Sequence, residues 1–206
     1  VQSHLSENQS EVALGCRNCV PSQNSMGMPM TGSGCLGADC STVMAHCVYS
    51  DERERRRMKE NGVYVAHCPE SNMNLSSGIA PVRAFLNEGI PVGLGSDVAG
   101  GTSEDIFAAM AHAIQASKLR WRLVDDTLKP LTAIEAFYLG TKGGGSFFGK
   151  VGSLEEGYEF DALIVDDSAI SSRDMEVKER LERLIYLSGG AKIKGKYVAG
   201  KEIFWR

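Results

Sequence analysis

The chain has 206 residues, 43% of them hydrophobic, with a formal net charge of -4 and a pI near 5.6. That length can bury a core for one domain or for one large and one small, while the acidic balance argues against a surface made for nucleic-acid backbones or anionic lipid. No run of about 18 apolar residues offers a membrane span, and no signal-peptide pattern opens the chain, so a soluble, cytoplasmic protein with a small, weakly polar substrate is expected.

Four short apolar runs end in polar residues and are followed by helical patterns, which is how β/α units read. They are Val1 to His4, Thr42 to His46, Val63 to His67, and Pro91 to Gly95 leading into Ser96 and Asp97. The first begins with no turn, no cap and no initiator Met, so the chain reads as a fragment. Gly15 to Asp39 is rich in Gly, Ser, Met and Cys without periodicity, and is expected to be a loop. Asp51 to Glu60 follows an N-cap at Ser50, offers only Met58 to bury, and reads as a solvated helix. Pro81 to Glu88 predicts a short helix with Val82, Phe85 and Leu86 inward, closed by Gly89. Glu104 to Arg120 predicts a longer one with Ile106, Met110, Ala113, Ile114 and Ser117 on one side, and Thr132 to Gly140 another. Beyond Gly149 the pattern changes to short, glycine-spaced strands: Gly152 to Gly157, Phe160 to Val165, and Lys196 to Phe204, with a charged helix from Met175 to Leu184 between the last two. Six cysteines are too few for a disulfide scaffold, and Cys47 and Cys68 lie in apolar runs where reduced thiols pack.

Barrels and open α/β sheets place reactive groups where strands end. His4, His46 and Asp97 stand at three such points. Singly, each has an ordinary structural explanation as a satisfied polar residue or a helix cap; together they offer the nitrogen and oxygen ligands of a catalytic zinc site. Glu7, three residues past His4, is placed to overhang such a metal and carry protons, or else to support the first turn of a helix. Cys16-Arg-Asn-Cys19 invites comparison with cytidine-type zinc deaminases, but Glu7 is three residues from His4 instead of two and Gly15 stands where that motif needs Pro.

Val1-Gln-Ser-His-Leu-Ser-Glu-Asn8, Met44-Ala-His-Cys47, Ala66-His-Cys-Pro-Glu-Ser-Asn72 with Leu75, and Leu94-Gly-Ser-Asp-Val-Ala-Gly-Gly101 together resemble the amidohydrolase superfamily, and its guanine-deaminating branch in particular. The tail, Gly144 to Gly152 and Gly157 to Val165, is similar to the segment leading into that family's small β-sandwich. The resemblance implies an α/β fold: the C-terminal part of a (β/α)8 barrel over residues 1–146 and part of a β-sandwich over 147–206. It implies zinc, with iron the alternative, held by His4 and Asp97; Glu7 as the proton shuttle; His46 binding the hydroxide or the developing oxyanion; and Asp97 also taking a proton from the water. The activity implied is hydrolytic deamination of guanine to xanthine and ammonia by a homodimeric full-length protein, this chain alone being inactive. The family's first-strand His-x-His pair is absent from the sequence. A sibling enzyme acting on another amino-substituted heterocycle, or a silent module kept for assembly, are the alternatives.

Overall fold

A computed structural model of the chain describes residues 2–10, 12 and 41–205. The expected loop from Gly15 to Asp39, with Cys16 and Cys19, and the residue that opens the first strand lie outside the described residues.

Four strands, β1 (Gln2–Leu5), β2 (Val43–His46), β3 (Tyr64–His67) and β4 (Val92–Leu94), form one sheet in chain order. All three pairings are parallel, with Leu5 opposite His46 and His67 opposite Leu94, so the C-terminal ends finish nearly level. Parallel neighbours need a crossover, and helices supply it. These are α1 (Glu52–Glu60) between β2 and β3, and α2 (Pro69–Asn74) with α3 (Val82–Glu88) between β3 and β4. Gly89 closes α3 in the left-handed conformation, as its sequence predicts.

After β4 come α4 (Ile106–Leu123) and α5 (Ala133–Tyr138), the latter running into a π-turn at Leu139–Gly143. Asp105 caps α4 by accepting from the Phe107 N–H, and α5 starts in a capping box between Thr132 and Glu135. On α4 the buried face is Ala109, Met110, Ala113, Ile114 and Ala116; Ile106 and Ser117, expected inward, are half-buried. The core lies between the parallel sheet and these helices: Leu5, Met44, Val65 and Val92 from the strands meet Met58, Phe85, Met110, Ile114 and Leu139. Burying each large apolar side chain there contributes about 1.5–3 kcal/mol.

Arg83 on α3 clamps α5. Its guanidinium donates to both Glu135 carboxylate oxygens at 2.7 and 2.8 Å and to the Lys129 and Pro130 carbonyls. That fork, more than anything else, holds the Glu135 carboxyl down to about 2.

Two expectations for α1 are corrected. Its N-cap is Asp51, whose carboxylate accepts from the Glu54 N–H, and not Ser50. Glu54 is buried along with Met58 because the Ser6 hydroxyl, just past β1, reaches its carboxylate at 2.9–3.0 Å. The face read as solvated is partly an anchor for the end of β1.

A second sheet is antiparallel, ordered β5 (Ala162–Asp166), β6 (Lys192–Val198), β7 (Lys201–Trp205), with α6 (Val177–Leu187) between β5 and β6. The run expected as one strand from Lys196 to Phe204 is two, folded at Ala199 and Gly200, both at positive φ. No strand forms over Gly152 to Gly157, which is bend and turn. No described helix is long and apolar enough to cross a membrane.

Candidate metal centre

The parallel sheet brings its chemistry to one end. His4 lies in β1, Glu7 two residues beyond it, His46 and His67 are the last residues of β2 and β3, and Asp97 is three residues beyond β4. The chain turns abruptly at these exits: Ser6, His46, Cys47 and Asp97 all have φ between 47° and 69°. Non-glycine residues held in that region cost of order 1–3 kcal/mol each, a form of strain that collects at functional sites.

The ring nitrogens His4 Nδ1 and His46 Nε2 lie 2.9 Å apart. The Glu7 Oε2 atom is 3.4 Å from the first and 3.8 Å from the second. Glu7 is anchored through its other oxygen, which accepts from the Ser77 hydroxyl at 3.2 Å. One nitrogen from each histidine and a carboxylate oxygen thus fall within 4.8 Å of one another, a donor set for a metal ion. The burial is graded: the His4 side chain is 64% exposed, Glu7 18% and His46 1%. The site therefore opens to solvent on the β1 side and is closed behind β2.

Asp97 is not in that cluster of three. Its charge nevertheless reaches the site's floor. Burial first, and the Asp97 carboxylate next, push the Cys68 thiol up to about 12, with Glu7 adding to the effect. Cys47 and Cys68 are both buried free thiols, as their apolar surroundings predict.

Several residues at the site were given no role from sequence. Asn72, 1% exposed, places its Oδ1 2.9 Å from His46 Nδ1. Asn74 donates to the Gly100 carbonyl at 2.8 Å, and the Thr102 hydroxyl donates to Glu70, so α2 also grips the loop that carries Asp97. His67 is 2% exposed, and burial, reinforced by His46, lowers its pKa to about 3, so it is neutral. A signal for it was present: Ala-His-Cys occurs at 45–47 and again at 66–68. An apolar cavity of about 1110 Å³ lies elsewhere, between α4, α5, α6 and the second sheet; none of the histidines, Glu7 or Asp97 lines it.

Known proteins resemble this chain in both sequence and backbone. Mouse guanine deaminase is 35% identical over 98% of this chain and 46% of its own length. The crystal structure of guanine deaminase from C. acetobutylicum with bound guanine superposes with a TM-score of 0.90 at 47% identity, over 99% of this chain and 48% of that one. A zinc-bound adenosine deaminase from Xanthomonas campestris reaches 0.80 at 27% identity, over 98% of this chain and 44% of its own. The chain thus spans about half the length of the relatives it matches. The model of the amidohydrolase family matches residues 4–203, nearly the whole sequence and the C-terminal ends of all four parallel strands, and the chain belongs to that family.

Proposed function

We propose that residues 1–206 form one part of a zinc-dependent enzyme that hydrolytically deaminates guanine to xanthine and ammonia. The observation that carries this reading is the meeting of His4, Glu7 and His46 beyond adjacent strand ends, in a chain whose backbone follows that of a guanine-bound guanine deaminase. Of that cluster only His4 is taken as a ligand, with Asp97 joining it from the loop after β4; imidazole nitrogen and carboxylate oxygen are both donors that zinc accepts, so the residue types fit the metal. In this proposal His4 and Asp97 are ligands, and the four parallel strands belong to a (β/α)8 barrel over 1–146 that is followed by part of a β-sandwich. Such a metal, when bound, lowers the pKa of a water molecule to about 7 and so supplies a nucleophile at neutral pH.

The side chains set the course of the protons. Glu7 keeps Oε1 on Ser77 and turns Oε2 toward the two rings, which suits a carboxylate that takes a proton from water and delivers it to the leaving amino group. His46, buried and directed at the same point, would accept a hydrogen bond from the attacking water and hold it in place. Asp97 would take the second proton of the water and pass it to the ring nitrogen beside the hydrolysed carbon, which xanthine carries protonated, so that both carboxylates end as they began.

The test is ammonia release from guanine together with zinc stoichiometry, measured for residues 1–206 alone and for the same residues joined to the complementary half of the C. acetobutylicum relative. The paired histidines of the family pattern are not in this sequence, and zinc sites use about three protein ligands, so the chain alone should bind zinc weakly and release no ammonia. In the joined protein Glu7→Gln should keep zinc and lose about 10²- to 10⁴-fold in turnover, whereas Asp97→Asn should lose both. Full turnover by Glu7→Gln, or by residues 1–206 alone, would refute the assignment.

A further inference from the structure

We infer that Asn72 is a positioning residue that fixes the His46 ring and keeps its hydrogen on Nδ1, so that Nε2 turns its lone pair toward His4 and Glu7. This rests on the reading of His46 as a member of the active site. It adds a residue on a different element, 26 positions away, that decides what His46 can do.

A neutral imidazole carries one hydrogen, and which nitrogen holds it is set by the partner of the other nitrogen. Asn72 Oδ1 can only accept, and it stands 2.9 Å from Nδ1. Both side chains are 1% exposed, so water is not there to make up a mismatch. A hydrogen on Nε2 would set two lone pairs against each other across that buried contact. With the hydrogen on Nδ1, Nε2 is an acceptor 2.9 Å from His4 Nδ1 and 3.8 Å from Glu7 Oε2. The same contact prevents the ring from turning about its Cβ–Cγ bond. Histidines on a metal's side of a site behave this way in general: the far nitrogen donates to a carbonyl or carboxylate, which fixes tautomer and orientation together.

An amide in place of a carboxylate matters here. Asn72 adds no charge to a pocket that already holds Glu7, yet its carbonyl gives the same acceptor. It also lies on the six-residue helix α2, whose neighbouring Glu70 and Asn74 are tied to the loop after β4, so the acceptor is held at a set distance from β2.

The experiment is nitrogen NMR on residues 1–206 with ¹⁵N-labelled histidine at alkaline pH. Only four histidines contribute, and the His46 signals are assigned by their loss in His46→Gln. The expected result is a pyrrole-type signal for His46 Nδ1 and a pyridine-type signal for Nε2. Asn72→Asp, which also accepts at this position, should leave that pattern unchanged. Asn72→Leu, of similar size with no acceptor, should give averaged signals from both tautomers, with circular dichroism confirming that the fold is kept. A pyrrole-type Nε2 in the native chain would overturn the inference at once, as would a change of tautomer on Asn72→Asp, which would mean that the native amide faces the ring with its NH₂. The measurement needs no turnover. A native tautomer as expected, in a protein that fails to deaminate guanine, leaves this inference standing and sinks only the proposed function.

Discussion

Acidification tests how His67 is housed. Its ring is 2% exposed, its Nδ1 has no hydrogen-bond partner among the described residues, and burial, with His46 beside it, lowers its pKa from 6.5 to about 3. The folded protein therefore refuses a proton that the unfolded chain accepts whenever the pH lies between those two values. Above about pH 6.5 the group has no effect; below it the unfolded state binds more protons, and stability falls as the pH falls. One pH unit inside this window corresponds to about 1.4 kcal/mol, so going from about pH 6 to about pH 4.5 should cost about 2 kcal/mol through this residue, and the whole window of order 5 kcal/mol. Carboxylates titrate in the same range, so the native curve alone does not isolate the ring. The assay is urea unfolding, followed by circular dichroism, of the native chain and of His67→Leu at several pH values. Whatever Leu costs in packing is common to all of them. Relative to the native chain, the variant should gain about 2 kcal/mol between pH 6 and 4.5. Parallel stability curves would show that the ring is protonated in the folded state and that its burial has been misread.

Phe85 is fully buried in the core between sheet and helices, so Phe85→Ala should destabilise by about 3–5 kcal/mol in the same urea assay. Gly93→Ala should also destabilise, by about 1–3 kcal/mol, because the new Cβ would lie 2.7 Å from the Gly144 Cα, backbone against backbone where β4 meets the π-turn. Arg83→Ala removes the fork on Glu135, and because that carboxyl is about one-third exposed the loss should be modest, about 1–2 kcal/mol. Glu135 is held down to about 2, so the clamp contributes fully above its ordinary pKa of 4.5, and the native advantage over Arg83→Ala should fade as the pH drops from there toward 2.

What the sequence discloses is what is local. Each parallel strand is a short apolar run stopped by a polar residue, and all four observed strands fall within the expected runs to about a residue at either end. His4, Glu7, His46 and Asp97 could be nominated because a strand end is recognisable without knowing what lies beside it. Glu54 could not. On its own helix it is one charge among seven between Asp51 and Arg57, and the Ser6 hydroxyl that meets its buried carboxylate lies 48 residues away. The β6–β7 turn escaped for a different reason. Ala199 and Gly200 both take positive φ, as a two-residue hairpin turn requires, but Ala-Gly lacks the Asn or Asp that usually marks one.

The helix α2 shows why the rest of the site was hidden. Six residues are too few to be stable alone, and this segment buries Ser71 and Asn72 beside its one buried ring, Pro69, so apolar packing does not account for its position. Its polar side chains do. Glu70 and Asn74 hold the loop after β4, and Asn72, between them in sequence, meets His46 at the end of β2. One short helix thus sets two of the nominated residues relative to each other, although it contributes none of the clustered donor atoms itself. Displacing α2 should therefore move His46 and Asp97 together. Substitutions at 70 or 74 should register as changes in metal affinity or turnover, even though neither side chain is among the groups that would hold the metal.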